Sequence, residues 1–189
     1  GRRARQRARG SAEHCVADFD DEHSSPRELS AVDFGRLTPT PPSAALARTA
    51  MALTGKVVGM FVDFAYEDLE VHYPLIRLRE EGATVWLISI KPAGALTYTG
   101  KHGYPCKSDK CIDDVSSSEL HALILPGGFA PDYMRRSAAM LKVVSEMVAA
   151  AKPVAAICHG PWMLCSARGA DGKPVCSGVK CTGFVAIKD

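Results

Sequence analysis

The segment Pro153-Val154-Ala155-Ala156-Ile157-Cys158-His159-Gly160-Pro161 sets one cysteine between a short apolar run and a His-Gly-Pro sequence. The apolar run is expected to be a buried strand, and residues 159–167 are expected to continue as a helix. A cysteine at such a strand-turn-helix corner takes the place that serine takes in a nucleophile elbow. The turn would push the sulfur out above a sheet. The helix beginning there would favour thiolate over thiol through its partial positive charge. Gly160 would let backbone or substrate come close. A free cysteine also packs well as a small hydrophobe, and Cys-His-Gly alone would be weak. Its position at the end of an apolar run favours a reactive thiol.

Two other strand ends carry residues of interest. After the run His121–Leu125 come Pro126, Gly127 and Gly128. Paired glycines can turn peptide N–H groups toward a ligand as an oxyanion hole, or they can simply make a tight turn. After the first apolar run comes Tyr66-Glu67-Asp68-Leu69-Glu70, which places three acids in the first turns of a helix. Glu67 and Asp68 are accounted for by the helix dipole. Glu70 is the candidate for chemistry, because that turn should open at the same sheet edge as Cys158. A carboxylic acid kept protonated by burial can donate a hydrogen bond to a thiolate, and a carboxyl group can also act as general acid or base.

The elements that must position these residues are legible from residue 56 onward. Lys56–Val62, Thr84–Ile90, His121–Leu125 and Pro153–Ile157 are apolar runs of strand length, as in a parallel sheet covered on both faces. Tyr66–Glu81 has apolar residues at helical spacing, with Pro74 expected to bend it or to begin a new segment. Gly82 supplies a stop signal. Ser137–Ala151 is expected to be a helix burying Met140, Val143, Val144, Met147, Val148 and Ala151. Residues 91–118 are less regular, with turns at Gly94, Gly100, Gly103 and Pro105, and a short strand is expected at Val179–Thr182. This rhythm predicts an α/β fold, a parallel sheet with helices on both faces and the chemistry gathered at the carboxyl ends of the strands.

Residues 1–50 differ in kind. An arginine run (Arg2, Arg3, Arg5, Arg7, Arg9) is followed by acids at Asp18, Asp20, Asp21 and Glu22 and by Thr38-Pro39-Thr40-Pro41-Pro42. No apolar period runs through them, so they are expected to be a disordered extension of a domain starting at Met51. At the other end, the chain reads as stopping short of a closing helix. The formal charge of +2 in 189 residues points to neither nucleic acid nor membrane as partner, and no apolar run has the length of a span. Cys15, Cys106, Cys111, Cys158, Cys165, Cys176 and Cys181 make an odd count without a CxxC pair. A reduced, cytoplasmic setting is expected, with no structural zinc.

The segments YEDLEVHYP (66–74), TGKHGY (99–104), LILPGGFAPDYMRR (123–136) and KPVAAICHGPWML (152–164) resemble the ThiJ/PfpI family, within the class I glutamine amidotransferase-like superfamily. GKHGY and GGFAPD place the resemblance nearest the intracellular-protease branch. The resemblance covers 56–189. It implies a flavodoxin-like, three-layer αβα domain over 51–189 without its last strand and helix. It implies a nucleophile at Cys158 with His159 as base or orienting partner. It also implies Glu70 as the acid touching the sulfur, and an oxyanion hole from amides near Gly127, Gly128 and His159. Asp132 stands where the protease branch has a glutamate supplied to a neighbouring subunit, one methylene longer. A homo-oligomer, dimer or hexamer, follows, with no cofactor and no metal.

Three functions fit. A cysteine-dependent enzyme would act on reactive carbonyls (glyoxalase or deglycase) or on peptides. A redox or stress sensor would work through oxidation of Cys158. A partner-binding domain would turn nothing over. Glutamine amidotransferase activity does not fit, because no triad histidine lies far downstream of Cys158.

Overall fold

The computed structural model describes residues 51–184. The expected extension over 1–50 lies outside the described residues. Strand β1 (Val57–Phe61) leads to helix α1 (Asp68–Glu80) and strand β2 (Thr84–Ser89). A hairpin of β3 (Thr97–Thr99) and β4 (Pro105–Lys107) follows, then the short β5 (Lys110–Cys111). The chain continues through β6 (Ala122–Leu125), α2 (Ala130–Met134), α3 (Ala138–Ala149), β7 (Val154–Ala156) and α4 (Pro161–Ser166).

Five strands pair in the order β5-β2-β1-β6-β7, every pair parallel. β1 lies at the centre, with Val58 in register with Val85 on one side and Ala122 on the other. The apolar residues of this continuous run are covered on both faces, and Met60, Phe61 and Val62 are fully buried. The sheet is the expected α/β arrangement, a flavodoxin-like layer flanked by helices.

Helix α1 runs straight through Pro74, which neither ends nor divides it. Pro74 lacks the N–H that would bond to the Glu70 carbonyl four residues back, so one rung of the ladder is missing beside the acid. Val71 and Leu75 face the sheet. Gly82, at φ +86°, ends the helix, and Ala83 donates back to the Leu78 carbonyl at 3.0 Å. Helix α3 begins at Ser137, whose hydroxyl accepts the Met140 N–H, and buries Met140, Val143, Val144 and Met147. It stops at Ala149, and Val148 and Ala151 of the expected apolar face are exposed.

Three expectations need correction. Pro153–Ile157 is not a doubly covered strand: β7 lies at the end of the described sheet, with Ala155 exposed and Ile157 49% exposed. Residues 179–182 form no strand, because their backbone groups meet no neighbouring strand there. The stretch 91–118, read as irregular, contains the β3–β4 hairpin and β5. These strands of two and three residues are too short to show a period. A hollow of about 400 Å³ lies between α1 and the β6–β7 face, lined by Leu69, Tyr73, Ile124 and Ile157 among others. It reaches Glu70 but not Cys158, so it lies apart from the thiol.

Candidate active site

β7 delivers Ile157 into a bond with the Leu125 carbonyl, and the chain then turns sharply. Cys158 stands at φ +57°, a region that a residue with a Cβ seldom occupies. Gly160 donates to the Ile157 carbonyl at 2.7 Å and closes the turn. A Cβ on Gly160 would lie 2.0 Å from the Leu125 oxygen, so no other residue fits there without moving β6. Strain of this kind marks an elbow that presents its side chain. The helix after it is only six residues long, shorter than expected, and its dipole adds correspondingly little at the sulfur.

The Cys158 Sγ lies 3.1 Å from Nδ1 of His159. Phe184 stacks on that imidazole at 4.2 Å, and Trp162 meets it edge-on at 4.8 Å. Phe184 is held there by its own N–H on the Cys158 carbonyl (2.8 Å) and by the Trp162 indole N–H on its carbonyl (2.9 Å). Burial pushes the His159 imidazole below its ordinary value; Glu70 opposes that shift and Lys101 reinforces it. The ring is therefore neutral at pH 7, with one nitrogen free to accept a proton.

Glu70 reaches the same point from α1, where its Oε2 accepts the Gly127 N–H at 2.7 Å. A Cβ on Gly127 would lie 2.6 Å from the Cys158 Cβ, 2.7 Å from Glu70 Oε2 and 2.9 Å from the His159 backbone nitrogen. Gly127 is thus packed between the Cys158 Cβ, the Glu70 carboxylate and the His159 backbone. This revises the oxyanion-hole expectation, because the Gly127 N–H is already committed to Glu70. Among the described residues the N–H groups of Gly128 and His159 have no protein acceptor and are free to donate. Gly128 sits at φ +75°, packed against Ala65 and Tyr66 in a short bridge with the chain after β1.

Asp132 lies in the first turn of α2, and its carboxylate pairs with Arg136 one turn on. It makes no bond to His159 of its own chain. Glu67 and Asp68 are more than dipole acids, which corrects the reading from sequence. Asp68 is buried and accepts the N–H groups of His102 and Tyr104 at 2.9 and 2.8 Å. Glu67 pairs with Lys101 at 2.5 Å. Together with Lys101 N–H on the Tyr66 carbonyl, these bonds fix the loop 100–104 beside the elbow. Lys101 is the site cation that sequence reasoning missed: Glu67 chiefly, with Cys158 and Glu70 nearby, raises its ammonium above the ordinary value. Its signal was the GKHGY motif itself, whose lysine had no partner visible in the sequence. Glu67, Asp68 and His102 are the one group of metal-ligating side chains that converge among the described residues. Asp68 is spent on backbone N–H groups and Glu67 on Lys101, so the cluster already has its partners.

A parallel α/β sheet with a strained Cys-His elbow, and a carboxylate arriving from the first helix, defines a class of cysteine-centred α/β domain. Residues 56–189 match the DJ-1/PfpI family, and the chain belongs to that family. It is 41% identical over 124 residues to "Deglycase PfpI" of Pyrococcus furiosus, covering 66% of this chain and 69% of that protein. To "Putative cysteine protease YraA" of Bacillus subtilis it is 35% identical over 133 residues, covering 70% and 74%. Among solved structures it is similar to a two-domain protein of Anabaena variabilis with DJ-1/ThiJ/PfpI-like and ferritin-like domains. That likeness has TM-score 0.57 and 34% identity; it covers 60% of this chain, which spans only 33% of the solved one. Among the described residues no helix is long and apolar enough to cross a membrane.

Proposed function

We propose that this chain is a cysteine-dependent enzyme acting on 2-oxoaldehydes or their adducts on proteins. The observation that carries this reading is that the Cys158 sulfur lies against the His159 imidazole while Glu70, bonded to the Gly127 N–H, is held beside the same elbow. The Cys158 sulfur adds to the aldehyde carbon and the carbonyl electron pair moves to oxygen. Gly128 and His159 N–H groups hold that oxygen. His159 takes the thiol proton and returns it to the oxygen, giving a hemithioacetal. Glu70 removes the hydrogen on that carbon as a proton and delivers it to the neighbouring carbonyl carbon, while the hydroxyl proton passes to that carbonyl's oxygen, leaving a 2-hydroxy thioester. Water then cleaves the thioester, releasing a 2-hydroxy acid and restoring the thiol. On a hemiaminal adduct of a protein amine, the C–S bond forms as the C–N bond breaks, and the amine leaves with the thiol proton passed on by His159.

The relative named a deglycase supports this substrate class. The relative named a putative cysteine protease supports the same nucleophile on peptides. That second reaction would rely on Asp132 reaching a neighbouring subunit's site, and Asp132 here is occupied by Arg136. A reducing cytoplasm and a homo-oligomer complete the reading, consistent with six free cysteines among the described residues.

The test is methylglyoxal consumption, with 2-hydroxy acid release, by the wild type, Cys158→Ala and Glu70→Ala. Both variants should lose activity by about a hundredfold or more. Unchanged turnover in Cys158→Ala would sink the proposal.

A further inference from the structure

Cys165 and Cys176 bring their sulfurs to 3.8 Å, and both thiols are free. Neither has a part in the chemistry at Cys158. Their approach is built by the backbone. Val175 donates to the Ala167 carbonyl at 3.0 Å and Gly169 to the Lys173 carbonyl at 2.8 Å. Arg168 and Pro174 form a bridge between them. This closed loop sets the residues at its mouth side by side, eleven positions apart in sequence. At 3.8 Å the sulfurs are in van der Waals contact. A bond of about 2.05 Å requires the two sulfurs to approach by somewhat less than 2 Å. Cys165 is exposed at the end of α4, and Cys176 is half-buried. Cys181, also exposed, lies close enough to Cys176 to affect its ionisation.

We propose that Cys165 and Cys176 form a second thiol site, a dithiol that a hydroperoxide closes to a disulfide. The exposed Cys165 thiolate attacks the peroxide oxygen; an S–O bond forms, the O–O bond breaks, and water or an alcohol leaves. Cys176 then attacks the Cys165 sulfenic sulfur. The S–S bond forms, the S–O bond breaks, and hydroxide leaves as water with the Cys176 proton. Two thiols are oxidised and one hydroperoxide is reduced. Burial and the neighbouring Cys165 sulfur raise the Cys176 thiol above its ordinary value, which suits it to the resolving role.

The bond would join α4, the helix that follows the nucleophile, to the segment running from Cys176 to Phe184. Phe184 is the ring stacked on His159, so the state of this dithiol bears on the cover over the site.

The test treats the full chain with one equivalent of hydrogen peroxide, blocks remaining thiols with N-ethylmaleimide and maps the peptides by mass. Running it in parallel on Cys158→Ser separates this site from the nucleophile. The expected product has lost two hydrogens and contains a Cys165–Cys176 linked peptide in both proteins. Cys165→Ser and Cys176→Ser should each abolish it. Both thiols still blocked by the maleimide after peroxide, or a link from Cys176 to Cys181 instead, would overturn the proposal.

Discussion

The Oε2 of Glu70 accepts the N–H of Gly127 at 2.7 Å, joining the first helix to the glycine turn after β6 across 57 residues of sequence. The bond gives the carboxylate a positioning role as well as the proposed proton-transfer role, and the two can be separated. Glu70→Gln keeps an oxygen for Gly127 but cannot carry a proton. It should fold with a melting temperature close to wild type and lose activity by about 10²–10⁴. Glu70→Ala should lose both, because Gly127 is left with a poorly solvated donor. Thermal melts beside methylglyoxal turnover decide the matter. A fully active Glu70→Gln would remove the proton-transfer role.

Gly160 makes a second prediction. Its missing Cβ lets the elbow pass within 2.0 Å of the Leu125 carbonyl, measured from where that atom would stand. Gly160→Ala must push β7 away from β6 or flatten the strained Cys158 turn. The cost should reach or exceed the about 1–3 kcal/mol usual for overpacking, since the neighbour is backbone and cannot rotate aside. Chemical denaturation checks it, and a variant as stable as wild type would show that the elbow has room for a Cβ.

The sheet and the elbow were legible because their signals are local. Lys56–Val62 and His121–Leu125 are apolar runs of strand length bounded by turn residues, and Cys158 follows such a run with a histidine and a glycine. The hairpin holding Lys101 was not, because what forms it is remote. Asp68 ties down the N–H groups of His102 and Tyr104, more than thirty residues away. No periodicity within residues 97–107 records that. The openness of β7 was hidden for a related reason: Val154–Ile157 is as apolar as a strand covered on both faces, and apolarity does not say which neighbours are present.

Asp68 supplies a pH-dependent prediction. Its burial by itself would raise the carboxyl, but the backbone N–H bonds of His102 and Tyr104, joined by its own N–H and the His102 charge, outweigh it and bring the value below the ordinary 3.8. A carboxylate whose folded value is depressed adds stability that is complete above its unfolded value and is lost as pH falls through the folded one. Asp68→Asn should therefore cost about 1.5–3 kcal/mol near neutrality, the worth of hydrogen bonds to a charged acceptor. The gap between wild type and variant should narrow as pH drops below about 4. Urea midpoints across pH test this, and a gap that widens in acid would refute it.

Lys101 can be tested by the charge of the reagent that meets Cys158. Its ammonium pairs with Glu67, and its field reaches the sulfur. Lys101→Met removes that cation and leaves Glu67 unopposed. Alkylation by iodoacetate should slow relative to iodoacetamide by about 1.4-fold to fivefold, matching the about 0.2–1 kcal/mol of an exposed charge pair. Added salt should shrink the difference in the wild type and have little effect on the variant. Equal slowing by both reagents would mean that Lys101 acts through the loop geometry alone.

The stack of Phe184 on His159 links the cover of the site to its pH profile. Burial is the largest cause of the imidazole's lowered value, and Phe184, at 4.2 Å, covers one face of the ring. The acid form of His159 cannot take the thiol proton, so activity should fall as pH drops through this lowered value. In the wild type the acid limb of kcat/KM should therefore lie below 6.5, the ordinary histidine value. Phe184→Ala admits water to the ring and favours the imidazolium, so the limb should move up toward 6.5. Phe184→Tyr keeps the stack and should leave the limb in place. A pH–rate series on the three proteins measures it. Because a general loss of activity would lower the whole curve without moving it, only the position of the limb reports on His159. A limb that stays fixed in Phe184→Ala would assign the titration to another group.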